Sequence, residues 1–458
     1  MRLWPEIPCP HHPGPGGAGR YYHLCRRGGG AAGKGGGILI FAAGTILPDG
    51  ELSQTITRLA AEEVPRTLSG PPLEREVVLD ALDALGQELD SGALDGLIVQ
   101  YAPPGAREAL ERVRPQLSRE ALEERLALEL GGLAGPRRFG RTQVLPLGVL
   151  LHVAPGNMAG LPAFTAVEGL LTGNLNLVKL PRGDKGLTIA VFQKLTQLEP
   201  RLAPWLYAFD LPSRDTAALR RLAALANGVV TWGGDEAVLA MRRLAPPGAK
   251  LIEWGHRLSF AYLSEWQGLD LSGLAEHIVQ TGGLLCSSCQ VIYLDTTYLS
   301  VAEQFCKEFL PVLEGAARSW YTTSGQAAQG ALYAREAVLE QIVDRPESGD
   351  LVFPGKSCSV TLRRDGTLEL SHLHGNVLVK RLPREKLLEA LPLYRGRLQT
   401  AGLLCPSSKR EELAALLARA GVNRITLPAH MSRTFPGEAH DGEYPLRRYV
   451  RAVDIEIQ

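Results

Sequence analysis

"TQVLPLGVLLHVAPGNMAGLPAFTAVEGLLTGNLNLVKL", residues 142–180, contains the repeating unit that decides the fold. Its first part is an apolar run that ends at the Pro-Gly turn 155–156, as is typical of a buried strand. Residues 161–173 have the apolar spacing of a helix that ends at a glycine, and residues 174–180 return to a short apolar strand. A strand, a helix and a second strand in this order predict two parallel neighbours in one sheet.

The same alternation continues along the chain. It predicts a helix, a strand, a helix closed by Gly228, a strand and a helix, at residues 185–198, 206–211, 216–228, 229–232 and 235–244. We therefore predict an α/β fold with a doubly wound parallel sheet. Ligands of such sheets bind beyond the carboxyl ends of the strands, so the informative residues are those that follow each strand. No G-x-G-x-x-G fingerprint occurs in these turns.

A second α/β region begins near residue 249. It contains a predicted helix at 271–280, a strand at 290–295 and a long helix at 300–320, and it continues through 403–425. Residues 84–130 have a charged helical pattern, and residues 440–458 predict a final strand.

Composition excludes several classes of protein. A chain of 458 residues with 45% apolar and 21% charged residues is typical of a soluble globular protein with two or three domains. Basic and acidic residues are equal in number, 49 each, which argues against nucleic-acid binding. The longest apolar runs, such as 38–47, are too short to span a bilayer, so we do not expect an integral membrane protein. Seven scattered cysteines suggest reduced thiols and a cytoplasmic location.

The first 37 residues are rich in glycine and proline and predict a disordered tail. Three other interpretations are weaker. "GGGAAGKG" at 28–35 lacks the Ser or Thr of a phosphate loop. The Cys and His residues between Cys9 and Cys25 match no standard zinc spacing. Arg26-Arg27 only distantly resembles a twin-arginine export signal.

Cys286 and Cys289 form a Cys-x-x-Cys pair in "TGGLLCSSCQVIYLD", residues 281–295. A redox pair normally opens a helix, whereas this pair leads into an apolar strand. A zinc site needs two further ligands, and the nearest candidates are the histidines of 371–375. Two structural thiols without chemistry also stay open. We favour Cys286 as a single nucleophile, since the neighbouring residues are small and leave room for a substrate.

Five short motifs stand in the order and approximate spacing of the aldehyde dehydrogenase superfamily, which this chain resembles. They centre on Asn157, Lys179, Gly233-Gly234, Glu253 and Cys286. The segments 398–404, 421–425 and 440–456 are similar to its acyl-CoA reductase branch, the LuxC-like fatty-acid reductases. The resemblance covers roughly residues 140–456. It implies two doubly wound domains, one cofactor-binding and one catalytic, with a small oligomerisation element.

The resemblance also implies a domain organisation and an assembly. Residues 38–252 with 428–458 would form the dinucleotide-binding and oligomerisation domain, and residues 253–427 the catalytic thiol domain. A homo-oligomer is expected from the same comparison.

The chemistry that the resemblance implies begins at Cys286. Its thiolate would attack the thioester carbonyl of an acyl-CoA, or of an acyl group presented by an acyl-transferring partner enzyme. The amide of Asn157 and the N–H of Cys286 would bind the oxyanion, and Glu253 would act as general base. Glu253 as an ion-pair partner, Asn157 as a turn residue and His256 as either an acid/base group or a packed loop residue remain alternatives.

The resemblance assigns a cofactor site as well. Lys179 would bind the adenosine ribose, and Arg182 stands where many NAD-preferring relatives have a glutamate, which favours NADPH because an arginine can pair with a 2′-phosphate. A solvated Lys/Arg pair is the alternative. Small or turn-forming residues would let the backbone approach the cofactor, namely Pro155, Gly156, Gly233 and Gly234. Gly156 replaces a family tryptophan, and no Glu-x-Phe-Gly-Pro motif is present; residues 352–356 come nearest.

These observations predict an NADPH-dependent enzyme that reduces long-chain acyl-CoA, or an acyl-protein thioester, to the aldehyde through an acyl-Cys286 intermediate. An aldehyde dehydrogenase working in the oxidative direction is one alternative. A non-catalytic, partner-binding subunit with the same fold is the other.

Overall fold

The computed structural model describes residues 39–101, 107, 110–111, 114–154, 156, 160–321, 323–435 and 437–456. The predicted disordered tail, residues 1–37, lies outside this part of the chain. Numbered in chain order, the strands are β1 Leu39–Ala42, β2 Thr45–Pro48, β3 Gly135–Arg137, β4 Gly140–Pro146, β5 Val149–Val153, β6 Leu175–Lys179, β7 Leu206–Phe209, β8 Gly228–Trp232, β9 Lys250–Trp254, β10 Leu258–Leu263, β11 Cys289–Leu294, β12 Leu351–Pro354, β13 Ser359–Leu362, β14 Asn376–Arg381, β15 Leu398–Leu404, β16 Arg424–Thr426 and β17 Val450–Ile455.

The α-helices are numbered in the same way. They are α1 Leu52–Arg58, α2 Val64–Ser69, α3 Arg75–Asp90, α4 Asp95–Tyr101, α5 Arg119–Leu130, α6 Leu161–Leu171, α7 Leu187–Leu198, α8 Thr216–Ala223, α9 Asp235–Leu244, α10 Ser272–Thr281, α11 Leu299–Trp320, α12 Ser324–Val343, α13 Leu387–Ala390, α14 Arg410–Ala420 and α15 Pro445–Arg448. A π-helical segment, Leu59–Glu63, joins α1 to α2.

The first sheet has the order β2-β1-β7-β6-β5-β8-β9. The five strands from β7 to β9 in this order run parallel, and β1 joins β7 in the antiparallel direction. Every residue of β6 and β7 is buried, as expected when helices cover both faces of a parallel sheet. This is the doubly wound sheet that the pattern of residues 142–180 predicts.

The second sheet has the order β12-β13-β14-β11-β10-β15-β16, and only β12 is antiparallel to its neighbour. Alternate residues of β10 belong to two separate hydrophobic clusters. Ala261 and Leu263 pack with α11, whereas Phe260 and Tyr262 pack with α14. Helices therefore cover both faces of this sheet too, and the prediction of two doubly wound sheets is confirmed.

A small antiparallel sheet, β17-β4-β3, completes the fold. The last strand pairs with β4 from Val450 opposite Pro146 to Ile455 opposite Arg141. The final strand predicted from the C-terminal sequence is confirmed.

Two details of the sequence prediction are wrong. The apolar run 142–153 is not one strand, because the chain turns at Gly148 (φ 127°) and its two halves, β4 and β5, belong to different sheets. Gly228 does not close a helix. Helix α8 ends at Ala223, and Gly228 begins β8, where a Cβ would come within 2.8 Å of the Leu150 side chain.

One short connection brings the two large sheets together. The chain leaves β9 at Trp254 and enters β10 at Leu258. Because an extended residue spans about 3.5 Å, these two Cα atoms lie at most about 14 Å apart. The carboxyl end of the first sheet therefore lies beside the amino end of the second.

Candidate active site

Cys286 lies in the turn between α10 and β11, at the amino end of the second sheet. Helix α10 ends here because Gly282 and Gly283 take positive φ angles of 56° and 77°, which residues with a Cβ rarely adopt. A Cβ on Gly283 would also come within 2.9 Å of Leu373. Cys286 is exposed, whereas Cys289 is buried as the first residue of β11.

Two buried hydroxyl groups fix the backbone of this turn. Ser259 Oγ donates to the carbonyl oxygen of Cys286 over 2.6 Å and accepts from the N–H of Thr400 over 3.0 Å. Ser288 Oγ accepts from the N–H of Leu285 over 2.9 Å. Because both serines are fully buried, no water competes for these bonds and the thiol is presented on a rigid support.

A neutral histidine supports the other side of the turn. The N–H of Cys289 donates to His277 Nε2 over 3.2 Å. Burial lowers the pKa of His277 to about 4, so the ring is uncharged near neutral pH and can accept this hydrogen bond.

An ion pair from two distant parts of the chain faces the thiol. Arg257, the residue before β10, has its Nε 2.9 Å from Asp441 Oδ2. Gln399 Nε2 donates to the other oxygen of Asp441 over 2.7 Å. Asp441 has positive φ, 51°, and precedes Gly442 with φ 81°, while His440 and Glu443 exchange two backbone hydrogen bonds across this turn.

Opposing effects act on the pKa of the Cys286 thiol. Although the residue is exposed, surrounding protein atoms partly desolvate the sulfur, and this effect raises its pKa most. The carboxylate of Asp441 raises it further, whereas the backbone N–H and the guanidinium of Arg257 lower it. The net shift is upward, so the thiol is mostly protonated at neutral pH in this state.

The C-terminal turn also contacts the first sheet. Trp232 and Trp254 are register partners at the carboxyl ends of β8 and β9, and the His440 ring lies 5.0 Å from each of their rings. The next residue, Asp441, holds Arg257 beside the thiol. These contacts place Cys286 close to the carboxyl edge of the first sheet, where ligands of such sheets bind.

Predicted cofactor and base residues meet at that same edge. In the register of the parallel strands, Lys179 lies beside Val153, Val153 beside Thr231, and Thr231 beside Glu253. Residues in one such row point to the same face of the sheet. Lys179 and Glu253 therefore share a face, three strand spacings or about 14 Å apart.

Lys179 ends β6 as a buried ammonium group. Its Nζ donates to Ser213 Oγ over 3.0 Å. Burial lowers its pKa, and the nearby carboxylate of Asp210 opposes that effect. Arg182, three residues further along the chain, is exposed.

Two glycines of the predicted cofactor site stand where a Cβ would crowd a neighbouring side chain of the protein; at Gly233 that neighbour is Ala237, at 3.2 Å. Gly233 has φ 151°, and its N–H donates to the carbonyl of Trp254 over 3.1 Å. Gly234 precedes α9 without a capping side chain, which leaves N–H groups of the first turn available. A Cβ on Gly156 would lie 3.1 Å from Pro181 Cβ.

Glu253 is engaged in a bidentate ion pair. Arg242 on α9 approaches its two carboxylate oxygens with Nε and a terminal nitrogen, both over 2.6 Å. Trp254, the next residue, points to the opposite face of the sheet, where His440 lies. The Glu253 carboxylate is therefore held by Arg242, on the face of the sheet opposite to His440.

Other predicted roles rest on residues that the structure does not describe. Asn157 and Pro155 lie outside the described residues, so the oxyanion and cofactor contacts predicted for them stay predictions. Both interpretations of His256 also stand.

The alternatives for the Cys-x-x-Cys pair receive little structural support. Cys286 and Cys289 are both free thiols, and burial raises the pKa of Cys289 to about 12, which makes it a poor redox partner. Within the part of the chain that the structure describes, no group of three or more His, Cys, Asp or Glu residues is arranged to hold a metal ion.

Sequence reasoning missed Arg257, Asp441, Gln399, Ser259 and His277. Two signals were present. Asp441-Gly442 is the dipeptide typical of a tight hairpin with two positive φ angles. Gln399 and Asp441 also lie in the segments 398–404 and 440–456, which resemble the acyl-CoA reductase branch. Arg257, Ser259 and His277 carry no local signal, because residues far apart in sequence create their contacts.

The edge of the first sheet fits a dinucleotide. It offers a buried ammonium group, an exposed guanidinium group and an uncapped helix start, which together suit ribose and phosphate groups. The carboxylate of Asp235, in the first turn of α9, is the feature least suited to a phosphate because both groups are negatively charged. Arg397 pairs with this carboxylate over 3.1 Å. A doubly wound sheet of this kind, with a cysteine of a second such sheet at its carboxyl edge, defines an aldehyde dehydrogenase-like protein.

Solved structures agree with this class. Aldehyde dehydrogenase 21 from Physcomitrella patens, in complex with succinate, superposes with a TM-score of 0.68 at 14% identity, covering 92% of this chain and 95% of that one. A 3,6-anhydro-L-galactose dehydrogenase in complex with NAP gives 0.65 at 15% identity, covering 93% and 97%.

Within this class the chain belongs to the acyl-CoA reductase (LuxC) family, whose model matches residues 73–452. This confirms the predicted resemblance. Curated relatives include long-chain acyl-protein thioester reductase 2 of Photobacterium leiognathi, 23% identical over 69% of this chain, and the long-chain acyl-protein thioester reductase of Aliivibrio fischeri, 23% identical over 70%. The matches span 65% and 66% of those relatives' length. None of the helices described here combines the length and apolarity that crossing a membrane requires.

Proposed function

We propose that this protein reduces a long-chain acyl thioester to the aldehyde with NADPH, through an acyl-Cys286 intermediate. The observation that carries this proposal is the exposed Cys286 thiol on a rigid turn, within a family match that includes both the turn and the candidate cofactor edge. The acyl donor is acyl-CoA or an acyl group on a partner enzyme, and the names of the curated relatives support the second donor.

The first half-reaction is acyl transfer to sulfur. The Cys286 thiol gives up its proton, and the thiolate attacks the thioester carbonyl to form a tetrahedral oxyanion. The C–S bond to the leaving thiolate then breaks, the leaving thiolate takes up a proton, and the acyl group remains on Cys286.

The oxyanion needs donors that are in place before the reaction. The N–H of Cys286 is suited to this role because Ser259 and Ser288 fix the turn that carries it. The side-chain amide of Asn157 is the proposed second donor. Loss of one such donor typically costs about 2.7–4 kcal/mol in the transition state.

For the cofactor we propose that Lys179 binds the adenosine ribose and Arg182 the 2′-phosphate, with Gly156, Gly233 and Gly234 in backbone contact. NADPH bound at this edge would supply the hydride that converts the acyl thioester into a thiohemiacetal. Collapse of the thiohemiacetal releases the aldehyde and returns Cys286 to the thiolate. A preference for NADH over NADPH in competition, or no change in preference in Arg182→Glu, would contradict the assignment of Arg182.

Glu253 is the proposed proton relay. Its carboxylate is accessible for this role only when Arg242 releases it, which makes the Arg242 pair a resting position. A homo-oligomer and a cytoplasmic location complete the proposal, as the sequence predicts.

Intact-protein mass measurement tests the nucleophile. The full-length protein is mixed with tetradecanoyl-CoA without cofactor, and peptide mapping locates the adduct. We expect the wild type and the matched control Cys289→Ala to gain one acyl group, and Cys286→Ala to gain none. Equal labelling of Cys286→Ala and wild type would refute the nucleophile.

Turnover then separates the alternative functions. We expect NADPH oxidation with tetradecanoyl-CoA and release of tetradecanal. Oxidation of aldehyde to free acid, without reduction of the thioester, would show the oxidative dehydrogenase instead. Absence of both reactions across chain lengths would favour the non-catalytic, partner-binding subunit.

A further inference from the structure

Two charged residues that no sequence motif assigned to the reaction face the Cys286 thiol. Arg257 lies in the connection between the two large sheets, two residues before Ser259, whose hydroxyl donates to the carbonyl of Cys286. Asp441 of the C-terminal turn accepts from Gln399, which precedes the Thr400 that donates to the same Ser259 hydroxyl. The guanidinium and the carboxylate also act on the Cys286 thiol electrostatically. The side chains of Arg257 and Asp441 are 18% and 2% exposed, so the pair is largely removed from solvent. A buried charge without a partner is strongly destabilising, and the contact between Arg257 and Asp441 gives each charge its partner.

Contacts with Asp441, which Gln399 holds in turn, fix the position of Arg257. Asp441 Oδ2 lies 2.9 Å from Arg257 Nε in an ion-pair contact, and Asp441 Oδ1 accepts a hydrogen bond from Gln399 Nε2 over 2.7 Å. The carboxylate itself is held because Asp441 and Gly442 form a turn with two positive φ angles, a conformation typical of two-residue hairpins. Asp441 is strongly constrained and lies beside an exposed thiol. The simplest explanation for such a residue is a role beyond stability.

We propose that Arg257, held by Asp441 and Gln399, is a positioning residue that presents a backbone N–H and a fixed positive charge to the Cys286 sulfur. Asp441 is the opposing member of the pair, since its negative charge faces the same sulfur. Arg257 favours the thiolate and Asp441 favours the thiol. Together they decide how much of the nucleophile is ionised before substrate arrives.

The groups that act on this balance come from three elements. Arg257 belongs to the β9–β10 connection, and β15 contributes only the uncharged Gln399. The C-terminal turn contributes Asp441 and also His440, whose Nε2 lies 3.9 Å from Asp441 Oδ2. His440→Gln therefore serves as an additional background in which the effects of the pair should persist.

The pH dependence of Cys286 alkylation by iodoacetamide tests the proposal in the full-length protein. Because a neighbouring charge shifts a pKa by about one unit or more, Arg257→Met should slow alkylation at pH 7.5 about tenfold, and Asp441→Asn should accelerate it about tenfold. The double variant should return to within about threefold of wild type, since two opposing charges are removed together. Peptide mapping with Cys286→Ser as the blank isolates the signal of this thiol.

Arg384→Met is the matched control. Arg384 and Asp295 form a similarly enclosed pair, 24% and 7% exposed, at the carboxyl end of β11, whereas Cys286 precedes its amino end. Six strand residues, about 20 Å, separate the two sites, so the thiol pKa should not change. Arg257→Lys keeps the positive charge, so its rate of alkylation at pH 7.5 should lie between those of wild type and Arg257→Met.

A purely structural pair would give a different result. Loss of either partner would then change the plateau rate of alkylation at high pH in the same direction, without opposite shifts of the thiol pKa. That outcome, or no shift in either variant, would overturn the proposal. Alkylation requires no acyl thioester, so this test stands even if the proposed reductase activity, on which only the link to catalysis rests, is not found.

Discussion

Replacement of Arg125 by methionine should destabilise the protein strongly. Arg125 on α5 is 10% exposed and pairs with Glu129 over 2.6 Å and Glu168 over 2.5 Å, and these two carboxylates are 0% and 4% exposed. They in turn hold the C-terminal segment. Glu129 accepts from the N–H of Leu446 over 2.7 Å, and Tyr449 donates its hydroxyl to Glu168 over 3.0 Å. Arg125→Met therefore leaves two buried carboxylates without their cation.

The magnitude follows from this burial. Removal of one member of a buried ion pair typically costs about 3–5 kcal/mol. For a chain of 458 residues the entropy of unfolding is about 1 kcal/mol/K, so the melting temperature should fall by about 3–5 °C. Arg119→Met is the matched control on the same helix. Its three carboxylate partners are 52% to 70% exposed, so its loss should cost less than about 1 kcal/mol.

The destabilisation should also depend on pH. Burial already raises the pKa of Glu129, and Arg125 opposes that effect. Without Arg125 the folded state binds protons more readily than the unfolded state, so the variant loses stability relative to wild type as the pH rises. Scanning calorimetry at pH 5.5 and pH 8 should show the larger deficit at pH 8. A deficit equal to that of Arg119→Met, or one independent of pH, would refute the reasoning.

Three further predictions concern the proposed active site and the second sheet. Glu253→Gln should lower the rate of thioester reduction at least about tenfold, because a general acid/base contributes about 100-fold or more. Arg242→Ala should not lower this rate, because Arg242 only holds the carboxylate at rest. Equal losses of rate in steady-state assays of the two variants would show that the ion pair itself matters. Lys179→Met should raise the KM for NADPH with little change in kcat, as initial rates at varied cofactor would reveal, and an unchanged KM would remove Lys179 from the cofactor site. Burial alone would raise the pKa of Glu340, but a hydrogen bond from His372 and the charge of Arg363 bring it down to about 2, below the usual 4.5. Its stabilising effect is therefore present above pH 4.5 and lost towards pH 2, and urea midpoints over that range should depend less on pH in Glu340→Gln.

The pattern of residues 142–180 was sufficient for the class of fold because it depends on local physics. Apolar runs of strand length alternating with helical spacing have few ways to bury their surface, and a covered parallel sheet is the usual one. The same reasoning failed at Gly148 and Gly228. At both positions the glycine allows a close contact with a residue that is distant in the sequence. It neither ends a helix nor lies in the interior of a strand.

The features of the candidate site likewise fall into those that the local sequence indicates and those that it does not. The sequence by itself determined the α/β class of fold and placed Lys179 at the carboxyl end of a strand, and it nominated Cys286 as the nucleophile, since these inferences depend on residues near each other in the chain. Only the tertiary structure decided that Arg257 and Asp441 face the thiol and that Arg242 occupies Glu253. Such contacts join residues 11 to 184 positions apart. Their energies come from burial and charge pairing that exist only after the sheets have packed, so no local pattern records them.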